Sequence, residues 1–364
     1  MAGSSSDAPS DDRGSHAAAR LPGLSIDSYN LELCDGDAFV GDRASQSAFR
    51  ELLEERRRHQ RTGDADPFGD TPSAKLSKKT IDEVLRSSDE HAAHLVHGAV
   101  EDYARRLVGV VRQFLDSAPW RGVQHIVFGG GMQEGAAGRL AIARAQRLSR
   151  EAGIDIDYST LRHDPDDGGL LGWAQLAPEA TLRAGEAFLA VDIGGTNIRC
   201  GIVAHRRDAT PDRRHAEVMW RNGWRHAEDR PVRDEAVMEL AGMLNGLVAQ
   251  ARTTGIRLAP FVGIACPGAI RADGGIARGG QNLPGDWEAD GFNLPRALRE
   301  RLDRIDGSDV QVVMHNDAVV QGLSERARMR RLRRWGVLTI GTGLGNASYT
   351  NLRPADDGNA ADGA

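Results

Sequence analysis

The sequence predicts an α/β protein in which parallel strands are mixed with antiparallel pairs. Three observations carry that expectation. Apolar runs of strand length alternate with amphipathic, helix-length segments along most of the chain. Two stretches, "FLAVDIGGTNIRCGIVA" (188–204) and "WGVLTIGTGLGNASYTNL" (335–352), join one strand to the next through glycines, as antiparallel pairs do. Two other apolar strands, "VQHIVFGGG" (123–131) and "DVQVVMHND" (309–317), end on glycine or Asn-Asp where a helix begins. Ligand-binding groups of α/β proteins sit at such strand ends.

Taken in order, residues 1 to about 22 are rich in Ser, Asp, Gly and Ala and predict a disordered tail, as does 354–364. "LSIDSYNLELCDG" (24–36) has strand character before a turn. "SQSAFRELLEERRRHQR" (45–61) reads as a helix with Phe49, Leu52 and Leu53 on one face. A loop at 63–74 leads to a short serine-capped helix at 76–89, then a long helix over 91–117. After the strand at 123–131 come a helix closed by Gly153, the strand "IDIDYSTLR" (154–162) and the short helix "GGLLGWAQLA" (168–177). From Phe188 two strands are followed by a third, "AEVMWRNGW" (216–224), a helix over about 233–254 and the strand "APFVGIACPGAI" (259–270). The helix "LPRALRERL" (294–302), the strand at 309–317, the helix "AVVQGLSERARM" (318–329) and the final strand pair complete the chain.

Composition narrows the function. The 364 residues carry a net charge of −6, with 40% hydrophobic and 27% charged residues. That balance fits a globular protein and argues against nucleic-acid or membrane partners. The N-terminus has no apolar signal core, and Cys34, Cys200 and Cys266 are odd in number and widely spaced, so a cytoplasmic location with reduced thiols is expected. Lys75, Lys78 and Lys79 are the only lysines, and the remaining 43 of 46 basic residues are arginines. No lysine follows a glycine, which excludes a GxxxxGK[ST] phosphate loop. A phosphate site here must use backbone N–H groups, hydroxyls and a metal.

"VDIGGTNIR" places Asp192 at the end of an apolar strand, followed by Gly194, Gly195, Thr196 and Asn197. Such a turn can face phosphate oxygens, and Asp192 can hold Mg²⁺ through its water shell. Its plainer alternative is a Gly-Gly hairpin turn. "LTIGTGLGN" repeats the design with Thr342 and Gly343, and Asn346 at its sixth position breaks a dinucleotide GxGxxG. Gly129, Gly130 and Gly131 form a third turn, which lets a flat ligand lie on bare backbone or merely joins strand to helix. Asp317, beside Asn316, can take a proton from an attacking hydroxyl or can cap the helix it precedes. Asn282 in "GGQNLPGDWE" (279–288) suits sugar hydroxyls or a plain turn. His91, His94 and His97 drift round a helix surface without a carboxylate or cysteine partner, so a metal role is disfavoured. "RARMRRLRRW" (326–335) reads as a solvated helix end or a homodimer contact.

Together these segments resemble the ROK family of bacterial sugar kinases and sugar-responsive repressors, within the actin/hexokinase/Hsp70 superfamily. "DIGGTNIR" and "LTIGTGLGN" are similar to that family's two phosphate motifs. "GIACPGAI", "QNLPGDW" and "HNDAVVQGLSE" resemble its sugar-lobe segments; "IVFGGG" resembles the adenosine motif, and "DPDDGGLLGWAQLA" the closing segment. The resemblance covers most of 24–353, but the adenosine motif and closing helix come before the first phosphate motif instead of last. It therefore implies a two-lobed actin-like ATPase (ribonuclease H-like) fold, circularly permuted, with mixed sheets and helices on both faces. The implied parts are a nucleotide lobe at 23–186, a sugar/phosphate lobe at 187–320 and a second piece of the nucleotide lobe at 321–353.

The family's Gly-Glu-Ile-Gly-His segment and cysteine-rich zinc motif are missing, so no zinc is expected, and Asp27, Asn30 or Glu32 stand where sugar contacts could be replaced. The resemblance implies transfer of the γ-phosphoryl group of ATP, with Mg²⁺, to a hexose or N-acetylhexosamine in a glucokinase-like reaction. Asp317 would be the base, Asn316 and Asn282 would hold the sugar, Asp192 would organise Mg²⁺, and the three glycine turns would hold the nucleotide. The main rival is a non-catalytic sugar or nucleotide sensor. A phosphohydrolase on the same fold is a third reading.

Overall fold

The computed structural model describes residues 19–352 apart from 37, 61–65 and 207–214. The tail expected at 1–22 lies outside the described residues up to residue 18, and that at 354–364 lies wholly outside. Arg20–Leu21, expected to be disordered, instead form a short strand, β1. The chain continues through β2 (Leu24–Tyr29), a small hairpin β3 (Cys34–Asp35) and β4 (Ala38–Phe39), then α1 (Gln46–Gln60), α2 (Lys78–Leu85) and α3 (Glu90–Asp116). Next come β5 (His125–Gly129), α4 (Ala136–Glu151), β6 (Asp157–Thr160), α5 (Pro165–Leu171), α6 (Trp173–Leu176) and α7 (Glu179–Leu182). The strands β7 (Ala187–Ile193), β8 (Ile198–Ala204) and β9 (Glu217–Trp224) precede α8 (His226–Asp229), α9 (Arg233–Thr254) and β10 (Leu258–Cys266). The last elements are β11 (Ala269–Ile270), β12 (Ile276–Arg278), α10 (Leu294–Arg299), β13 (Gln311–Asn316), α11 (Asp317–Leu323), α12 (Arg326–Met329), β14 (Arg334–Ile340) and β15 (Leu344–Asn351).

Two sheets organise the molecule, in the orders β1-β2-β15-β14-β5-β6 and β13-β10-β7-β8-β9. Apart from the edge strand β1 they follow one plan. In the second sheet, β7, β8 and β9 are an antiparallel meander, and β10 then β13 are added parallel to β7. In the first sheet, β14, β15 and β2 make the same meander, and β5 then β6 are added parallel to β14. The plan is continuous in sequence in one sheet. In the other, the chain enters at its third strand and leaves after its second.

Side-chain alternation explains the layers. Leu189, Val191 and Ile193 of β7 point into a core with α9 and α10, whereas Phe188 and Ala190 point the other way. Ile126 and Phe128 of β5 pack with α1, α3 and α4, whereas Val127 points the other way. These opposite faces meet in one middle core that contains Leu170, Leu171, Val319, Val320 and Leu323 of α5 and α11. Each of those two helices follows the fifth strand of its sheet, and they cross where a Cβ on Gly172 would lie 1.8 Å from the Val320 carbonyl oxygen. The crossing fixes the two sheets relative to each other and places the start of α11 in the cleft between them.

The arginine cluster is solvated only in part: Arg330, Arg331 and Arg333 are exposed, and several of its members are tied down. Arg326 donates to the Pro22 carbonyl, Arg328 pairs with Glu325 at 3.3 Å, Arg333 donates to the Asn351 carbonyl, and Arg334 reaches Asp27 at 3.1 Å. It ties α12 and β14 to neighbouring strands. His91, His94 and His97 are exposed on α3. Among the described residues, no helix is long and apolar enough to cross a membrane.

Candidate active site

Both sheets open their strand ends onto one cleft of about 890 Å³. The β7–β8 turn brings Gly194, Gly195, Thr196 and Asn197 to it, and the β14–β15 turn brings Gly341, Thr342 and Gly343. Gly130 and Gly131 follow β5 into the same cleft, Asp317 enters at the first residue of α11, and Asn282 comes from the loop after β12. The three glycine turns read from sequence therefore share one cavity.

Asp192 is 5% exposed. Its burial comes from α5: a Cβ on Gly169 would lie 2.4 Å from the Asp192 carboxyl carbon, so only glycine lets the helix cover this strand end. Arg199 stands 3.8 Å from Asp192 and 2.6 Å from Asp166. Burial pushes the Asp192 carboxyl up to about 7; Arg199 works against that, and the negative charges of Asp317 and Asp166 add to it. Burial likewise raises Asp317 to about 6, opposed by hydrogen bonds from the N–H groups of Ala318 and Asp317 itself.

Asp317 does not cap its helix. Asn316 does: its side-chain oxygen accepts from the N–H groups of Ala318 and Val319, at 3.0 and 3.3 Å. Its amide nitrogen donates to the Gly268 carbonyl at 2.9 Å. Asn316 is 1% exposed and does not line the cleft, so the sugar contact expected of it is corrected. The Asp317 carboxylate, beside the N–H groups of Ala318 and Asp317, lines the cleft instead.

The glycines divide into two kinds. Neither Gly194 nor Gly343 has a left-handed φ, so no tight-turn conformation demands them. A Cβ on Gly343 would meet nothing within 4 Å, and one on Gly194 would meet only the Asn197 carbonyl oxygen at 3.5 Å. Their missing side chains leave room in front of the backbone. Gly130 is required for packing: its φ is 74°, and a Cβ would lie 2.7 Å from the Ile340 carbonyl oxygen. Gly129 is corrected as a ligand contact, because it does not line the cleft and packs behind Gln321 and Thr339. Gly131 lines the cleft beside Gly130, beneath the Gln46 amide and the Lys78 ammonium, each 2.8 Å from its Cβ position.

Several residues of the cleft were not legible beforehand. His226, 2% exposed, contacts the Gly194 carbonyl at 2.8 Å through Nε2 and holds the first turn from α8. Arg199, Asp166, Lys78, Arg50 and Glu288 also line the cleft. Two adjacent glycines inside α5 were the available signal of a close approach there. Of the candidates in and just after β2, Asn30 and Glu32 line the cleft, whereas Asp27 is held by Arg334 and Thr350.

Seven acidic and five basic side chains line the cleft. A phosphate chain bound there needs a compensating cation. Among the described residues no three His, Cys, Asp or Glu side chains converge as a metal site. That donor set does fit Mg²⁺ carried by phosphates, which uses one or two protein carboxylates and keeps several waters. Asp192 lines the cleft beside an open glycine turn.

No family model matches the chain, and no curated protein does. Among solved structures, the Lmo2764 protein of Listeria monocytogenes, provisionally described as an N-acetylmannosamine kinase, aligns at 24% identity over 45% of this chain and 47% of its own, with a TM-score of 0.32. An exopolyphosphatase from Cytophaga hutchinsonii aligns at 18% identity over 46% and 51%, with a TM-score of 0.25. An exopolyphosphatase-like protein aligns at 12% identity over 69% and 87%, with a TM-score of 0.29. The first two alignments span about half the length of those chains. At these TM-scores the likenesses carry no weight for function.

Proposed function

We propose that this protein is an ATP-dependent phosphotransferase that moves the γ-phosphoryl group to a hydroxyl of a hexose or N-acetylhexosamine. The observation that carries the reading is the meeting of three glycine turns and a half-buried carboxylate, Asp317, in one cleft. Its fold would be an actin-like ATPase fold, circularly permuted. Support comes from the shared plan of the two sheets, one of which is interrupted by the chain ends. A permutation needs only neighbouring old ends and an exposed new break.

Asp317 accepts the proton of the acceptor hydroxyl as its oxygen bonds to phosphorus. The bond from phosphorus to the bridging oxygen breaks, and ADP leaves with those electrons. The turns at 194–197 and 341–343 offer N–H groups and the Thr196 and Thr342 hydroxyls to the phosphates. Asp192 would hold the water shell of Mg²⁺, which supplies charge neutralisation when bound with the nucleotide. Asn282, whose Cβ lies 3.1 Å from the Cβ position of Gly195, would reach from the first turn to the acceptor.

The commitment of Asn316 to the framework favours a second reading, a non-catalytic sugar or nucleotide sensor. Incubation with Mg-ATP and a panel of hexoses and N-acetylhexosamines, with ADP measured, separates the two. Sugar-dependent ADP release that is lost in Asp317→Asn supports the kinase. Nucleotide binding without turnover on any sugar supports the sensor.

A further inference from the structure

Gln321 follows Asp317 by one helical turn on α11, a spacing that puts two side chains on one face of a helix. Both residues line the cleft. Side chains on a helix lean toward its N-terminus, which carries the Gln321 amide back toward the Asp317 carboxylate. The transfer reaction described above makes no use of this amide.

Gln321 is 7% exposed, and its side-chain oxygen is buried with no hydrogen-bond partner among the described residues. Its surroundings explain why. The Cβ position of Gly129 lies 2.8 Å from that oxygen, and Leu161 Cδ1 and Thr339 Cγ2 lie 3.1 and 3.3 Å from the same position. On α5, the Cβ position of Gly168 lies 3.7 Å from Gln321 Cγ. Two glycines and two methyl groups thus make room for a long polar side chain and offer it no donor. A buried acceptor left without a donor costs stability. The cleft is the side from which a donor can reach it.

A water entering from that side meets two acceptors, the Gln321 oxygen and the ionised Asp317 carboxylate. Donating one hydrogen to each, it turns its lone pairs away from both and into the cleft. There, in the phosphotransferase reading, the terminal phosphorus faces Asp317.

Resting on that reading, we propose that Gln321 and Asp317 hold a nucleophilic water, which makes this protein also an ATP hydrolase when no sugar hydroxyl takes the water's place. The water oxygen bonds to the terminal phosphorus, and Asp317 takes one of its protons. The bond from phosphorus to the bridging oxygen breaks, ADP leaves with those electrons, and inorganic phosphate is the second product. Gln321 contacts the nucleophile and is a catalytic residue of the hydrolysis. A bound sugar displaces the water and suppresses it.

The test measures phosphate release from Mg-ATP in water enriched in heavy oxygen, without sugar and against rising sugar. Gln321→Met, which keeps the length and removes the acceptor oxygen, and Gln321→Ala are measured alongside, with melting curves. Expected is heavy oxygen in the phosphate and none in ADP, with phosphate release falling as sugar phosphate rises. Each variant should lower the ratio of phosphate released to sugar phosphate formed at least tenfold. A purely structural Gln321 would lower the melting temperature and leave that ratio unmoved. Sugar phosphorylation without any sugar-independent phosphate release would overturn the proposal and leave phosphotransfer standing. Phosphate release that saturating sugar leaves unchanged, or an unmoved ratio in a folded variant, would do the same. With no sugar phosphorylated, the kinase reading fails and hydrolysis alone decides: labelled phosphate that falls tenfold in Gln321→Met sustains the water site, and no release overturns it.

Discussion

Asp192 and Arg199 are direct partners across the β7–β8 pair, and the guanidinium stands 3.8 Å from the carboxylate. Arg199 opposes the burial that raises Asp192 to about 7, and so keeps a usable fraction of it ionised near neutral pH. Arg199→Met should raise the Asp192 pKa further. Titrating Mg²⁺ against nucleotide binding should then show affinity about tenfold weaker at pH 7, recovering toward pH 9. Equal loss at both pH values would assign Arg199 a direct phosphate contact instead.

Asp317 governs activity on the acid side. With its carboxyl raised to about 6, kcat/KM should fall tenfold per pH unit below that value, because the base is then protonated. A profile flat from pH 7 to pH 5 would remove Asp317 from the base role. Asp317→Asn should lower kcat by roughly 10²–10⁴ while nucleotide still binds.

The same shift has a stability sign. The folded pKa, about 6, lies above the ordinary 3.8, so the stabilisation it brings is full below about 4 and is lost as pH rises through about 6. At pH 8 the parent protein therefore carries a half-buried charge that Asp317→Asn lacks. The variant should be more stable there, by on the order of 2 kcal/mol, and no more stable at pH 4. Urea unfolding at the two pH values reads the difference.

Two glycine substitutions should behave oppositely. Gly343→Ala places its methyl in open space and should leave the melting temperature unchanged while weakening nucleotide binding. Gly130→Ala forces a methyl against Ile340 at a left-handed φ and should destabilise by roughly 2–4 kcal/mol. Melting curves paired with nucleotide titration distinguish the roles. Intact nucleotide affinity in Gly343→Ala would show that the space before this turn is not where phosphate binds.

The sequence made the main helices and strands of both sheets legible because their apolar periods are clean, as in Phe188–Ile193 and Ile126–Phe128. It also marked Asp192, Asp317 and two glycine turns, since each lies at an abrupt end of an apolar strand. It could not distinguish glycines that leave room, such as Gly343, from glycines that pack, such as Gly130 against Ile340. Asn316 misled because its residue type suits a ligand and a helix cap equally. His226 was not marked, since it supports the Gly194 turn from a distant segment and belongs to no local pattern.

The most direct measurement is a crystal structure with Mg²⁺ and a non-hydrolysable ATP analogue. The expected result has the phosphates against both the 194–197 and 341–343 turns, Mg²⁺ on the Asp192 side, and the terminal phosphorus facing Asp317. A nucleotide bound elsewhere, or one touching a single turn with Asp317 remote from its last phosphate, would contradict it.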